Sequence, residues 1–534
     1  MTLAPDSRGG LPPVFLHDLP ARAAQCWPGQ VALTAGDTLW TYAILQARMG
    51  VWAQGLRALG VQPGQRVAVV ADKQLDTVAA MFAVSLAQAV LVPINPLLKP
   101  AQVQHILQDA GVSVLLSPVS HQASWAALRE ACTDLRWVVG CSIQALDESV
   151  RAVPAVPALA DAPLANALET DLAAIFYTSG STGLPKGVML SHRNLVAGAA
   201  SVAAYLGNHA GDTLLAVLPL SFDAGFSQLT TAFLVGAHVV LLNYVLPTDV
   251  VRAMARYKVT GLTAVPPLYA QLTSLQWPPE ATQHLRYWAS TGGRMPQSVL
   301  AAMQARAPAA LPYLMFGLTE AFRATYLPPE EVRQRPDSIG KAIPNVEVLV
   351  LRDDGSLCDA DEPGELVQRG PLVAMGYWNR PEATAERFRP LPAAAMKAGH
   401  GTVSPEVAVF SGDTVRRDAQ GFLYFVGRRD EMIKTSGYRV SPTEVEEMAM
   451  AHPGVQEAVA VPVADEALGS VIRLIVYGGH MGDEGERTAS LLSHFRQAAP
   501  AYMVPRSVLW QASPLPRNPN GKFDRQCWRD DARF

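Results

Sequence analysis

YTSGSTGLPKG, Tyr177 to Gly187, continues the apolar run AAIFYTS (173–179) and precedes a helix that Ser191 can cap. Its three glycines (Gly180, Gly183, Gly187) let the backbone come close to a ligand. Its four hydroxyl residues (Thr178, Ser179, Ser181, Thr182) and their amides offer donors to phosphate oxygens. Lys186 adds a positive charge where a polyphosphate would lie. The Gly-Lys-[Ser/Thr] ending of the nucleotide-triphosphatase loop is absent, and Pro185 precedes the lysine. Strand, glycine-rich loop and helix in succession predict an α/β fold around a phosphate-binding turn.

Upstream, the pattern alternates helix and strand. Thr41 can cap a helix running to about Leu59, with Gly60 ending it. RVAVVA (66–71), a helix over 75–89, VLVPIN (90–95), a helix opened by Pro100 and VSVLL (112–116) give a β-α-β-α-β order, which predicts parallel strands. A second run spans 171–320, where AAIFYTS, TLLAVLPL, HVVLL, LTAVPP and RYWAST are short apolar strands separated by helices. Two such runs predict two related α/β subdomains packed face to face. After about residue 340 the strands alternate like antiparallel ones, with turns at DDG and AQG, and a small β-barrel-like subdomain is expected. After Asp430 a compact helix/strand mix follows, so the division expected is 1–429 and a small mobile α+β domain, 430–534. The Ala/Pro/Gly-rich stretch 389–406 reads as a surface loop.

Composition narrows the function classes. A net charge of -4 without a basic run excludes a general attraction for nucleic acid. The five cysteines (Cys26, Cys132, Cys141, Cys358, Cys527) are scattered and form no CxxC, so reduced thiols in a cytoplasmic protein are expected. The N-terminal residues lack the apolar core of a signal peptide. The most apolar stretches break well short of the ~20 residues a membrane span needs, so membrane insertion is not expected.

Five separated motifs, in order, resemble those of the adenylate-forming superfamily of acyl-CoA synthetases, peptide-synthetase adenylation domains and luciferases. They are YTSGSTGLPKG, FGLTE (316–320), SGD (411–413), GRRDEMIKTSGYRVSPTEVEE (427–447) and NPNGKFDR (518–525). The resemblance spans about residues 30 to 530. It implies ATP, Mg²⁺ and CoA, or the phosphopantetheine of a carrier protein, as cofactors and partners, with a small-molecule carboxylic acid, a fatty or amino acid, as substrate. By it, Thr178, Ser179, Gly180, Ser181, Thr182, Gly183 and Lys186 bind phosphate. Thr319 bonds the α-phosphate and Glu320 holds the metal. Phe316, with Gly317 beside it, stacks on adenine in a place where the family usually has Tyr. Asp413 takes the ribose hydroxyls, helped by Arg428. Gly292 and Gly293, in ASTGGRMP, line the adenine and acyl pockets, and Lys522 reaches the reacting carboxylate and phosphate from the C-terminal domain. Asp430 matches the hinge between two domain orientations, and Lys434, Gly437 and Arg439 approach the thiol in the second.

The acid is left open. Phe222, Asp223, Val265 and Thr291 are expected in the acyl pocket. Asp223 resembles the aspartate that pairs with the α-ammonium in amino-acid-activating domains, and it also stands where it would cap the helix 225–235. Arg323 reads as a surface residue, with contact to a second substrate carboxylate as the alternative. An amino-acid-activating enzyme and one that uses the adenylate without a thiol, such as a β-lactone synthetase, remain alternatives, and the oligomeric state is open. INPLLKPAQVQHIL (94–107), FGLTEAFRATYLPPEEV (316–332) and RPDSIGKAIPN (335–345) are similar to AMP-forming ligases associated with bacterial exosortase systems.

Overall fold

The computed structural model describes residues 12–98, 100–118, 125, 128–151, 167–178, 185–395, 406–428, 433–435, 438–465, 469–479, 483–499, 501–517 and 523–529. The chain separates into two compact units. One comprises Met1–Val348, Gln368–Leu391 and Gly399–Phe410; the other comprises Leu349–Val367, Pro392–Ala398 and Ser411–Phe534.

The first unit carries two sheets. Its strands in chain order are β1 (Val31–Ala35), β2 (Thr38–Thr41), β3 (Arg66–Val69), β4 (Val90–Pro93), β5 (Val112–Ser117), β6 (Trp137–Gly140), β7 (Leu172–Thr178) and β8 (Lys186–Ser191). Then come β9 (Thr213–Ala216), β10 (His238–Leu241), β11 (Gly261–Ala264), β12 (Tyr287–Ser290), β13 (Leu311–Phe316), β14 (Thr325–Leu327) and β15 (Ser338–Ala342). One sheet has the order β18-β8-β7-β4-β3-β5-β6, with β18 at Gly376–Tyr377. In it β3 pairs in parallel with both β4 and β5, as the β-α-β-α-β reading requires. The other runs β15-β14-β13-β12-β11-β9-β10-β1-β2, parallel from β9 to β13.

The helix boundaries follow the signals in the sequence. Thr41 caps Tyr42–Ala58 through the amide of Ile44, Pro100 opens Pro100–Ala110, and Ser191 with Asn194 forms a capping box for His192–Leu206. Gly207 ends that helix in the left-handed region at φ 61°. Between the sheets, Phe82 of helix Leu75–Leu86 packs on Phe226 and Phe233 of helix Asp223–Val235, with ring centroids 5.5 and 5.1 Å apart. All three rings are fully buried, so one continuous apolar core joins the two subdomains.

Two expectations need correction. β7 belongs to the first sheet, next to β4, although its sequence neighbours from β9 onward build the second. The loop also does not run straight into the helix: β8 intervenes and pairs antiparallel with β7. An apolar run shows that a strand is buried but carries no information on which neighbour it chooses, because partner choice is set by the whole core.

Strands β16 (Glu347–Leu351), β17 (Gly364–Arg369) and β20 (Val407–Arg417) run across the division between the units, and β19 (Phe388–Pro390) pairs with the first residues of β20. The order is β16-β17-β20-β21, with β21 at Leu423–Arg428, and β20 and β21 pair antiparallel as expected after residue 340. The second unit then has a hairpin, β22 (Ile433–Thr435) and β23 (Tyr438–Val440), and a three-stranded sheet. That sheet holds β24 (Glu457–Asp465), β25 (Gly469–Tyr477) and β26 (Ser507–Gln511). Helices Pro442–Met450 and Glu484–Ala498 cover it through Val445, Leu491 and Phe495. No described helix is long and apolar enough to cross a membrane, and no two of the described cysteines form a disulfide.

Candidate active site

The base of the glycine-rich stretch 177–187 is fixed from both sides. Thr178 ends β7 directly opposite Lys186, the first residue of β8, and Tyr177 faces Gly187. A Cβ at Gly187 would lie 2.6 Å from Ile175 Cγ2 and 3.1 Å from Tyr177 Cζ, so only glycine lets the Tyr177 ring lie across the partner strand. The Tyr177 hydroxyl donates to Asp109 Oδ2 at 2.6 Å, and Arg380 Nη2 reaches Asp109 Oδ1 at 2.9 Å. Burial and the Asp109 carboxylate push the phenol far above its ordinary range, so it stays a donor. Ser179, Gly180, Ser181, Thr182 and Gly183 lie outside the described residues.

Lys186 and Glu320 share a neighbour that the sequence did not disclose. Tyr377, on β18, lies with its ring centroid 5.8 Å from Lys186 Nζ, and its hydroxyl donates to Glu320 Oε1 at 2.6 Å. β18 is held against β8 with Tyr377 opposite Val188, and Ala374 N–H donates to the Glu320 carbonyl at 2.9 Å. A single Gly-Tyr pair some fifty residues from the motif offers no local pattern that would have pointed to it.

FGLTE begins where β13 ends. Phe316 is the last strand residue, and Thr319–Ala321 form one 3-10 turn. The chain then reverses through Phe322, at φ 57°, ψ -57°, with Arg323 N–H donating to the Ala321 carbonyl at 2.6 Å. That is the rare γ-turn with positive φ, a strained conformation for a bulky residue. Full burial of the Phe322 ring against Gly198 offsets the strain, since any side chain at 198 would occupy the ring's place. The turn sends Arg323 inward. Expected at the surface, Arg323 is only 3% exposed, and Nη1 lies 2.7 Å from the Phe322 carbonyl and 3.3 Å from Asp223 Oδ2. A Cβ at Gly317 would lie 3.1 Å from Arg323 Cα and 3.3 Å from the Phe322 carbonyl oxygen, so the backbone of this turn crowds that position.

Asp223 is likewise not the helix cap. Phe222 takes the cap position, and Asp223 is the first helical residue, its Oδ1 accepting the Ala224 amide at 2.6 Å. Val265, Thr291 and Gly292 do come together: Val265 precedes helix Pro266–Thr273, Thr291 N–H donates to the Ala264 carbonyl, and Gly292 at φ 79° faces Val265. Gly293 lies beside Pro266. These residues lie just past the carboxyl ends of β11 and β12, and Phe316 is at that of the adjacent parallel β13, where ligands of open α/β sheets bind.

In the second unit, Asp413 and Arg428 face each other across β20 and β21, with Arg428 Nε 3.5 Å from Asp413 Oδ1. Asp413 is buried; its amide donates to Ser411 Oγ at 3.0 Å, and Gly412 at φ 71° gives the amide that reaches Glu365. Lys434 pairs with Arg439 across the β22/β23 hairpin. Asp430, Gly437 and Lys522 lie outside the described residues, but the chain on either side of Lys522 is anchored. Arg517 bridges to Phe523 and pairs with Glu457, and Arg525 Nη2 reaches the buried Glu446 at 2.7 Å.

The family model for AMP-binding enzymes matches residues 20–378, and that for the AMP-binding enzyme C-terminal domain matches 444–522. The chain belongs to the AMP-binding enzyme family. This AMP-binding enzyme is 30% identical to a long-chain-fatty-acid–CoA ligase of Escherichia coli O157:H7, over 97% of this chain and 94% of that one. It is 31% identical to part of a linear gramicidin synthase of Brevibacillus parabrevis, over 94% of this chain and 6% of that one. ATP-bound MatB from Rhodopseudomonas palustris superposes with a TM-score of 0.82 at 26% identity, covering 96% and 98% of the two chains. For o-succinylbenzoate CoA synthetase from Bacillus subtilis with its acyl-adenylate intermediate the TM-score is 0.81, at the same identity and coverage. The enzyme is thus an adenylate-forming acyl-CoA synthetase of the acid–thiol ligase kind.

Proposed function

We propose that this enzyme joins a carboxylic acid to the α-phosphate of ATP and passes the acyl group to the thiol of CoA or of a carrier-protein phosphopantetheine. In the first step a carboxylate oxygen bonds to the α-phosphorus and pyrophosphate leaves; in the second a thiolate bonds to the acyl carbon and AMP leaves. The observation that carries this reading is the Lys186–Tyr377–Glu320 arrangement beside the base of the phosphate loop. A cation and a carboxylate held by one tyrosine set opposite charges where a polyphosphate and its metal need them.

In this reading Lys186 and the loop hold the phosphates, and Thr319 bonds the α-phosphate. Glu320 is the protein's ligand to Mg²⁺, which suits an ion bound by one or two carboxylates together with substrate phosphates. Bound there, Mg²⁺ would neutralise charge on the phosphate oxygens. Asp413 and Arg428 take the ribose, Phe316 stacks on the adenine with Gly317 beside it, and Gly292 and Gly293 leave room for the ligand. Lys522 is delivered from a C-terminal domain, 430–534, that swings about Asp430 and brings Lys434, Gly437 and Arg439 towards the thiol. Asp430→Pro is expected to leave pyrophosphate exchange intact and to lower thioester formation by about tenfold or more. Equal loss of both half-reactions would remove the hinge assignment.

The acid is the finer question. The gramicidin synthase relative supports an amino acid, with Asp223 meeting the α-ammonium, but Arg323 already stands against that carboxylate and would have to be displaced. The CoA-ligase relative supports a fatty acid. Pyrophosphate exchange across both classes, followed by AMP release with CoA and then carrier protein, tests the reading and its acceptor together. Turnover without thiol consumption would instead indicate an enzyme of the β-lactone-forming kind. A cytoplasmic setting is the reading of the scattered cysteines and the N-terminal residues, and a role beside an exosortase system rests on the sequence likeness.

A further inference from the structure

Behind Arg323 lies a cavity of about 20 Å³, room for one water-sized group. Its lining includes Arg323, Gln228, Thr231, Asn208 and Met315. Three buried polar atoms on these residues have no hydrogen-bond partner among the described residues: Gln228 Oε1, Thr231 Oγ1 and Asn208 Oδ1. Gln228 is 7% and Thr231 2% exposed. The amide orientations are set by their neighbours. Gln228 Nε2 donates to the Leu215 carbonyl at 3.1 Å, and Asn208 Nδ2 donates to Asp212 Oδ2 and to the Tyr287 hydroxyl. Turning Asn208 over would aim its oxygen at a carboxylate, so Oδ1 is the atom left over. Native interiors leave few such atoms, so three on one cavity ask for a partner, which a water or a ligand group of that size supplies.

The lining reaches from Arg323 and Met315, beside FGLTE, to Gly261 and Tyr287, the first residues of β11 and β12. Arg323 stands three residues beyond Glu320, Met315 precedes Phe316, and Ala224, which also lines it, follows Asp223. The chemistry and size of the floor then select the group that fits. Two amide oxygens ask for a donor, while Thr231 and Arg323 donate. A hydroxyl both gives and accepts in one heavy atom. A carboxylate has three heavy atoms and would face the two amide oxygens. An ammonium would enter beside a guanidinium whose charge Asp223 already balances at 3.3 Å. A methyl end would leave all three atoms unpaired.

Resting on the adenylation reading above, we propose that the acyl pocket ends in this cavity and that the enzyme selects a short carboxylic acid whose far end carries a hydroxyl group. Gln228, Thr231 and Arg323 are its specificity-determining residues.

The test is pyrophosphate exchange by the full chain with four sets of short acids of equal length: ω-hydroxy, alkanoic, dicarboxylic and amino acids. Hexadecanoate is added as the long probe. The best ω-hydroxy acid is expected to exceed its alkanoic counterpart about a hundredfold in kcat/KM. Thr231→Val removes a hydroxyl that no described protein group uses, so the fold is kept while that ratio falls about tenfold and the alkanoic acid gains. Gln228→Leu is expected to act in the same direction, with thermal unfolding as its control. A best substrate from any other set, or a hydroxy/alkanoic ratio untouched by Thr231→Val, overturns the hydroxyl assignment and leaves adenylation standing. No exchange with any acid overturns the adenylation reading, and this one with it.

Discussion

The base of the phosphate loop and the cavity behind Arg323 treat polar groups in opposite ways. At the first, Tyr177 and Arg380 both settle on Asp109, Trp378 Nε1 reaches the Asp109 carbonyl, and Tyr377 bonds Glu320. At the second, three buried polar atoms stay unpaired among the described residues. A region whose hydrogen bonds close on the protein itself is stiff before any ligand arrives. A region with open acceptors is completed by what enters it. On the two proposals above, the difference gives generality to the phosphate end, which any acid must share, and selectivity to the other.

The contrast can be attacked at both ends. Glu320→Gln keeps the Tyr377 bond available but removes the charge, and pyrophosphate exchange is expected to fall about 10³-fold with every acid alike. A loss confined to some acids would erase the division between the two regions. Next in size, Asp223→Ala leaves the buried Arg323 without a counter-charge and should lower unfolding stability in urea by about 3 kcal/mol. Combining it with Arg323→Met should return most of that loss, because two apolar neighbours replace a broken ion pair. If the double variant is no better than the single one, the pair is not the unit described. Smallest, Tyr377→Phe removes one hydrogen bond to a carboxylate. It should slow exchange by about thirtyfold, roughly 2 kcal/mol, with the substrate order unchanged. Full activity in that variant would reduce Tyr377 to scaffold.

Much of this was legible beforehand. The strand–loop–helix reading of YTSGSTGLPKG, the parallel strands around RVAVVA and the caps at Thr41 and Ser191 are local features, and local rules of burial, glycine and capping recover them. The motifs gave the family because each needs particular residue types at short spacing. What stayed hidden depends on distant parts of the chain. β7 chose β4 as partner across about eighty intervening residues, and Tyr377 met Glu320 through β18. Arg323 was misplaced for a sharper reason. A charged residue just past a polar motif reads as solvated, and only the Phe322 γ-turn, itself made tolerable by a glycine on another helix, reverses it.

Helix Asp223–Val235 carries a division of labour along its first turns. Gly225 sits so close to the Pro219 carbonyl that any side chain there would overlap it, which fixes the seat of the helix on the preceding loop. Gln228 and Thr231, one and nearly two turns further along, line the cavity, and Gln228 reaches the Leu215 carbonyl of the strand behind it. Pocket chemistry can therefore be exchanged at two positions while the helix stays where it is. That makes this turn a replaceable cartridge, through which a descendant or an engineer could assign the same adenylating machinery a new acid without rebuilding its frame.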